Sequence, residues 1–232
     1  MLKVLRLSSV LKRISLFQTA NTLQFSIKKH STMASTSSED SLSGLIKFLE
    51  IVGNLKHIKR AGWVLRDVPN CETVAGHMYR MSIMTFLLDG REGLDRTKCL
   101  EMALVHDLAE SLVGDITPYC GISKEDKKKK ELEAMQEIAN LIEPRGKHLM
   151  ELFLEYEENQ TAESKFVKDL DRLDMVLQAF EYEKRDECPK KHQEFFDSTE
   201  GKFNHPLVIG LVEQIKAQRD AVGDTEKQLS TS

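Results

Sequence analysis

The sequence predicts an all-α fold, a single bundle of helices formed by residues 41–221. From Ser41 onward, apolar residues recur at steps of three and four, which is the spacing of one helical face. No segment shows the alternation of a half-buried strand, and no Asn-Gly dipeptide marks a hairpin turn. With 232 residues, of which 41% are hydrophobic and 30% charged, the chain has the size and composition of one globular domain.

The first half of this domain contains three predicted helices. The first carries a stripe of apolar residues: Leu45, Phe48, Leu49, Val52, Leu55 and Ile58. The second begins near His77 and carries Met78, Met81, Phe86 and Leu88. The third spans about Thr97–Val113 and carries Leu100, Ala103, Leu104 and Leu108. Gly114 ends this helix, because glycine readily adopts the left-handed conformation of a helix cap.

The second half contains four more predicted helices. Ser123 followed by Asp126 resembles a capping box and predicts a helix from there to about Ile142. Pro144 and Gly146 separate it from a helix that carries Leu149, Leu152, Phe153 and Tyr156. The next covers about Ala162–Tyr182, with the stripe Phe166, Leu170, Leu173 and Leu177. Pro206 suits the first turn of a last helix, which carries Leu207, Leu211 and Ile215 before a polar tail at 222–232.

Residues 1–38 differ in composition from the rest of the chain. They contain no acidic residue, and their basic residues are Lys3, Arg6, Lys12, Arg13, Lys28 and Lys29. A basic, acid-free start rich in Ser and Leu is typical of a mitochondrial transit peptide. The alternatives are a disordered tail, or an extension that precedes a second start at Met33. We exclude this segment from the folded domain, and a mitochondrial or a cytoplasmic location fits the sequence.

The charge and cysteine patterns exclude several classes of function. The formal net charge is -4 and the basic residues are dispersed, which argues against binding of a nucleic acid polymer. No stretch approaches the roughly 18 apolar residues of a membrane-spanning helix. Cys71, Cys99, Cys120 and Cys188 form no CxxC pair, which indicates free thiols. The run Lys127–Lys130, beside acidic residues, indicates a solvated helix face, with a phosphate site as the alternative.

The strongest functional signal is the pair His106 and Asp107 within an otherwise apolar helical segment. Burial of adjacent imidazole and carboxylate groups is costly unless a charge compensates them. Their nitrogen and oxygen atoms suit a divalent Mn, Fe, Co or Zn ion. Glu110 lies four residues after His106, one turn along the same face, where it could act as a base on a water molecule. The alternative is a structural His–Asp pair with Glu110 in solvent.

His77 and Asp171 extend this set from two other predicted helices. His77 begins an apolar helix, and Asp171 lies in a later one, where Asp174 and Gln178 share its face. Each alone is more often a core histidine or a solvated acid. Together with the His–Asp pair they supply two imidazoles and two carboxylates from three helices. Such a set builds a metal site in the core of a helical bundle.

The order His77, His106-Asp107, Asp171 resembles the H…HD…D signature of the HD-domain phosphohydrolases. Five surrounding segments resemble the HD-domain-containing protein 2 group, which is similar to bacterial 5′-deoxynucleotidases of the YfbR type: Gly62–Arg66, Glu72–Val74, His77–Met81, His106–Glu110 and Val113–Pro118. The resemblance covers about residues 41–221. One departure is Gly76, where many relatives carry an acidic residue. Its absence would remove an orienting contact without removing a metal ligand.

The resemblance implies an HD-domain helical bundle and a metal-dependent 5′-deoxynucleotidase that acts on deoxyribonucleoside 5′-monophosphates as a homodimer. It implies that one divalent ion (Mn, Co, Fe, Mg or Zn) is held by His77, His106, Asp107 and Asp171. It also implies that Glu110 moves the proton of the attacking water. A second ion could be held by Glu110, Asp115 and the carbonyl of Ile116.

Five residues are candidates for substrate contact: Trp63, Arg80, Arg60, Lys59 and Asp115. Arg80, Arg60 and Lys59 could bind the phosphate, and surface charge is the alternative for each. Trp63 could contact the sugar and disfavour a 2′-hydroxyl, or it could pack in the core. Asp115 could contact the sugar instead of a second ion.

Two other functions remain open at this point. One is another HD-domain reaction, the hydrolysis of nucleoside triphosphates or cyclic phosphodiesters, which the short chain disfavours. The other is a catalytically silent HD fold that acts as a binding protein. The presence of all four expected metal ligands disfavours this second alternative.

Overall fold

The structure is a computed structural model that describes residues 38–230, and these residues form an all-α fold. Besides short 3₁₀ turns and one isolated bridge between Lys59 and Thr73, its elements are α1 (Ser38–Gly53), α2 (Ala61–Val64), α3 (Val74–Met84), α4 (Arg96–Val105), α5 (Glu110–Val113), α6 (Lys124–Asn140), α7 (Gly146–Glu158), α8 (Ala162–Arg185), α9 (Gln193–Thr199) and α10 (Pro206–Ser230). None of these helices has the length and apolarity needed to cross a membrane. The predicted N-terminal extension lies outside the described residues, apart from Ser38.

Side-chain caps fix where four of the helices begin. Thr73, Asp95, Ser123 and Thr161 each accept a hydrogen bond from the backbone N–H three residues later, at the starts of α3, α4, α6 and α8. Such a cap satisfies one of the backbone donors that a helix start leaves without a partner. The cap predicted at Ser123 is confirmed. The same chemistry at Thr73 sets the first turn of α3, which carries His77.

The predicted helix over 97–113 is wrong in its middle. α4 ends at Val105 and α5 begins at Glu110, and the four residues between them form a turn. Within it, Leu108 N–H donates to the carbonyl of Val105 over 3.0 Å, and Glu110 N–H donates to that of Asp107 over 3.1 Å. These three-residue bonds wind the chain more tightly than an α-helix. The apolar spacing on both sides hid the bend from the sequence pattern.

The interior consists of two apolar clusters. The larger one gathers residues of α3, α4, α6, α7 and α8, and its largest fully buried side chains include Phe166, Met81, Met102, Met135 and Ile138. The smaller one surrounds Trp63 with residues of α8 and α9. Three residues of the predicted stripes, Leu49, Phe86 and Leu104, are instead about half exposed or more. A stripe predicts a helix more securely than it predicts which side chains face the core.

Two helices and one helix end were not predicted. α2 has 4 residues and α9 has 7, and both are too short to show a helical apolar repeat. α10 runs to Ser230 and thus covers most of the predicted polar tail. The four cysteines are free thiols, as predicted.

The close approach of α6 and α7 depends on Gly146. A Cβ atom at this position would lie 2.0 Å from the carbonyl oxygen of Ala139, so α7 could not keep its place. We expect Gly146→Ala to lower the free energy of unfolding by about 2 kcal/mol, because backbone atoms must move apart. The matched control is Gly210→Ala in α10, where a Cβ meets nothing within 4 Å. There, alanine should raise the free energy of unfolding by about 0.5–1 kcal/mol. Urea unfolding measures both, and equal effects would contradict the packing argument.

Candidate metal centre

His77 lies at the end of the first turn of α3 with its imidazole fully buried. Its Nδ1 is 2.7 Å from Asp174 Oδ2 on α8. Because a carboxylate only accepts, the imidazole donates here, and in the neutral imidazole Nε2 keeps a lone pair. That Nε2 lies 3.3 Å from Asp171 Oδ1 and 3.8 Å from Asp107 Oδ2. The orientation of His77 is therefore set by α8.

His106 and Asp107 reach the same point from the turn between α4 and α5. The Nδ1 of His106 is 2.9 Å from the carbonyl oxygen of Ala103 and donates to it. Its Nε2 thus also keeps a lone pair, 3.2 Å from Asp107 Oδ2. The turn places the imidazole in the interior, where the residue is 4% exposed.

These side chains form a group that can hold a metal ion. The ligand atoms of His77, His106 and Asp107 lie within 4.8 Å of one another, and Asp171 Oδ1 borders the group at His77 Nε2. Both Nε2 atoms are buried without a hydrogen-bond partner. Buried nitrogen atoms rarely stay unsatisfied, so the two lone pairs fit coordination of a cation. The donor set of imidazoles and carboxylates fits a divalent transition metal.

The carboxylates around His77 also make it basic. Burial and the charge of Arg60 act to lower the pKa of His77, but Asp171 and Asp174 outweigh them and raise this pKa to about 9. The imidazole therefore binds a proton below that pH. A cation on its Nε2 would compete with this proton, so metal binding at neutral pH would release it.

The two ligand carboxylates stay ionised despite their surroundings. Burial acts to raise the pKa of Asp107, but the charges of His106 and Arg60 hold it well below its usual range. For Asp171 the same burial is outweighed chiefly by His77, and the pKa is again lowered. Both groups thus provide negative oxygens across the neutral pH range.

Tyr156 on α7 positions Asp171, a role that its place in an apolar stripe did not reveal. Its hydroxyl donates to Asp171 Oδ2 over 3.1 Å, and its ring centroid is 5.0 Å from that of His106. One buried side chain therefore contacts ligands from two different elements. A hydroxyl group within an apolar stripe is the only sign of this role in the sequence.

Arg60 is the candidate substrate residue that reaches the centre. Its Nη1 lies 3.2 Å from Asp107 Oδ2, and its Nη2 lies 3.8 Å from Asp171 Oδ1. Burial acts to lower the pKa of Arg60, but the surrounding carboxylates, Asp107 first, raise it above its usual value. A permanently charged guanidinium thus stands beside the ligand carboxylates.

Glu110 lies next to the group as a buried acid with a free oxygen. The residue is 3% exposed, and its Oε2 has no hydrogen-bond partner. Burial and the charges of Asp107 and Asp115 raise its pKa well above the usual range. Asp115 Oδ2 accepts a 2.7 Å hydrogen bond from Ala61 N–H, and Ile116 is buried. Among the described residues, no group of three close metal-ligating side chains includes Glu110 or Asp115.

Comparison with known proteins identifies the family of this chain. A family model described as the HD domain matches residues 52–208. The chain belongs to the HD-domain family. The HD motif itself is the turn residues His106 and Asp107.

Similar proteins cover most of this HD-domain chain. The human protein 5′-deoxynucleotidase HDDC2 is 46% identical over 190 residues, which are 82% of this chain and 93% of the human one. The structure of a conserved hypothetical protein from Pyrococcus furiosus matches with a TM-score of 0.62 at 32% identity, covering 74% of this chain and 99% of that one. A predicted metal-dependent phosphohydrolase from Magnetospirillum magnetotacticum MS-1 matches with a TM-score of 0.63 at 25% identity, covering 79% and 97%.

Three predicted substrate residues lie elsewhere in the HD domain. Trp63 is 2% exposed, packs its ring 4.3 Å from Phe195, and donates from Nε1 to Glu72. Core packing is therefore its role in this structure, and the predicted sugar contact is not supported because the ring has no open face. The ammonium of Lys59 donates to the carbonyl oxygen of Cys71 over 2.6 Å.

Arg80, the third of these predicted substrate residues, binds side chains of α8 instead. Its guanidinium binds the Asp174 carboxylate through Nε, Glu181 Oε2 over 2.6 Å and Gln178 Oε1 over 2.9 Å. The predicted phosphate contact is not supported, because these partners hold the guanidinium against α8. Arg80 instead holds Asp174, which in turn orients His77.

Asp174 also explains why Gly76 is tolerated. Gly76 is exposed on α3, so a side chain there would point away from the buried His77. The orienting carboxylate comes from α8 instead, 97 residues further along the chain. The helical period predicted that Asp174 lies on the same face as Asp171, but it did not predict that Asp174 orients His77.

We expect Asp174→Asn to weaken Mn²⁺ binding by about 10–100-fold, the usual cost of losing a carboxylate behind a metal-ligating histidine. Calorimetric titration of the chelator-treated protein measures this. Glu181→Gln is the matched control, since it removes another Arg80 partner without touching His77. Its affinity should stay near that of the unmodified protein. Equal losses in both variants would show that Arg80, rather than the His77 contact, governs the centre.

Proposed function

We propose that this HD-domain protein is a metal-dependent 5′-deoxynucleotidase, which hydrolyses deoxyribonucleoside 5′-monophosphates to a deoxynucleoside and phosphate. The observation that carries the proposal is the pair of buried, unpartnered Nε2 atoms of His77 and His106 beside Asp107. The 46% identity to the human 5′-deoxynucleotidase HDDC2 supports the substrate class.

The ligands of the ion would be His77, His106, Asp107 and Asp171. A divalent ion there supplies Lewis acidity toward a phosphate oxygen and makes a nearby water more acidic. The nitrogen-containing donor set favours Mn, Co, Fe or Zn over Mg. A second ion would use Glu110, Asp115 and the carbonyl of Ile116, and the number of ions per chain, measured by elemental analysis, decides between one and two.

Glu110 would move the proton. A bound cation would offset the charges of Asp107 and Asp115 and so favour the ionised form of Glu110. Its unpartnered Oε2 would then accept a proton from the water as the water oxygen attacks phosphorus and the bond from phosphorus to the 5′-oxygen breaks. The raised pKa of Glu110 lets the same carboxyl return that proton to the departing 5′-oxygen. Arg60 would stabilise the charge on the phosphoryl oxygens, and Asp115 would contact the sugar.

A nucleotide panel with a Glu110 variant tests the proposal. With Mn²⁺ or Co²⁺, the protein should release phosphate from deoxynucleoside 5′-monophosphates much faster than from ribonucleotides. Glu110→Ala should lower kcat by about 10²–10⁴-fold, the usual contribution of a general acid–base group, while the metal content stays the same. Glu133→Ala on α6, whose carboxylate is exposed, is the control and should be fully active.

Two outcomes contradict this assignment. Phosphate release only from triphosphates or cyclic substrates would favour another HD-domain reaction, and no hydrolysis by metal-loaded protein would favour a binding role. Full activity of Glu110→Ala would remove the proton-transfer role from Glu110 without rejecting the substrate class.

We also propose that the protein forms a homodimer. Tyr79, Ile83 and Phe86 are each about half exposed or more along one side of α3 and the 3₁₀ turn that follows it. Contiguous apolar surface of this kind often marks a contact between chains. Sedimentation of the protein and of Ile83→Asp tests this proposal, which fails if the unmodified protein is monomeric.

For residues 1–38 we propose a mitochondrial transit function, based on their basic, acid-free composition. The full chain and a chain that begins at Met33 should then differ in location when followed by fluorescence. A cytoplasmic location of both would reject the transit function.

A further inference from the structure

Lys127 differs from its neighbours in the basic run of α6. Its side chain is 38% exposed, whereas that of Lys129 is 74% exposed. The ammonium lies 3.3 Å from Glu131 Oε1, and its pKa is raised although burial alone would lower it, because Glu131, Glu110 and Asp107 are close. The run thus divides into three exposed lysines and one half-buried lysine. The helix that carries all four, α6, packs against α5, which begins at Glu110.

Lys168 approaches the same centre from α8. Its ammonium lies 3.5 Å from the centroid of the Tyr156 ring, whose hydroxyl binds Asp171. Its nearest carboxylate is that of Glu157, 3.8 Å away, which is beyond hydrogen-bond distance. Burial lowers the pKa of Lys168, and the charges of Glu157, Asp171 and Asp107 offset part of this effect.

The two lysine–glutamate pairs lie on neighbouring helices, because α7 packs against both α6 and α8. Glu131 is close enough to feel the charges of both Glu157 and Asp107. The ammonium lies 3.3 Å from Glu131 in Lys127 and 3.8 Å from Glu157 in Lys168, and the charge of Asp107 acts to raise the pKa of both lysines. An incoming anion could therefore replace either glutamate without breaking a short ion pair.

A phosphate dianion needs such cations on its way to this centre. Five carboxyl groups lie at the centre: the ligands Asp107 and Asp171 and their neighbours Glu110, Asp115 and Asp174. The ionised carboxylates among them repel a dianion, so further cations beside the metal ion and Arg60 would favour its entry. Partly exposed ammonium groups next to the centre would bind the phosphate as flexible point charges.

We propose that Lys127 and Lys168 flank the entrance of the metal centre and bind the phosphate group of the substrate. This inference rests on the proposed phosphomonoester hydrolysis and adds to it two residues on different helices. Arg60 would contact the phosphate from the ligand side, and the two lysines from the solvent side.

Binding of inorganic phosphate to the Mn²⁺-loaded protein tests this inference without any turnover. We expect Lys127→Met and Lys168→Met each to weaken phosphate binding about tenfold, the usual range for loss of one charged hydrogen bond, and the double variant about a hundredfold. Methionine keeps the apolar stem and removes only the charge. KM for a deoxynucleoside monophosphate should rise in parallel, whereas inhibition by the corresponding deoxynucleoside should not change.

The matched controls are Lys129→Met and Lys165→Met, which remove exposed lysines from the same two helices. They should bind phosphate as the unmodified protein does. Phosphate affinity that is unchanged in the Lys127 and Lys168 variants, or lowered equally in the controls, would overturn the inference while leaving the hydrolysis intact. Lysine-dependent phosphate binding in a protein that hydrolyses no monophosphate would keep the anion site and reject the proposed function.

Discussion

The burial of two imidazoles and their carboxylates in an apolar bundle is the constraint on which this fold depends. His77 and His106 come from different elements, and each directs its Nδ1 to an acceptor and its Nε2 to a shared point. Burial of such groups is unfavourable unless every charge and lone pair finds a partner. The helices α3, α4 and α8 are therefore held at this point by polar contacts, and the apolar clusters pack around it.

The metal ligands are held in place by specific hydrogen bonds from neighbouring residues. Asp174 orients His77, Arg80 holds Asp174, and Tyr156 holds Asp171. These three positioning residues lie on three helices, so the centre would loosen if any of the helices moved. Metal sites commonly depend on this outer layer for affinity.

Much of the fold could be predicted from the sequence. Each long helix has apolar residues at steps of three and four, and these residues form the face that packs in the core. The stripe of α8 and the cap at Ser123 were both visible in the residues alone. The placement of Asp171 and Asp174 on one face followed from the helical period. That these acids meet the HD motif was readable only through the family pattern, since periodicity contains no information on contacts between helices.

The features that could not be predicted from the sequence depend on contacts between helices. Nothing local distinguishes Lys127 from the lysines after it, and only the position of α6 beside Glu110 turns it inward. Arg80 and Trp63 were candidates for substrate contact, with surface charge and core packing as the alternatives, and contacts with α8 and α9 cover them. The bend within the HD motif was hidden for a related reason, since a tight turn of four residues keeps the apolar spacing of the helices around it.

The functions of three aspartates on α8 depend on the number of residues between them. Asp169 accepts hydrogen bonds from the backbone of Asn204 and His205 at the start of α10, while Asp171 and Asp174 serve the metal centre. One inserted residue between Asp169 and Asp174 would rotate the later side chains by about 100° around the helix axis. Insertions and deletions within this stretch would therefore separate the anchoring of α10 from the chemistry of the core.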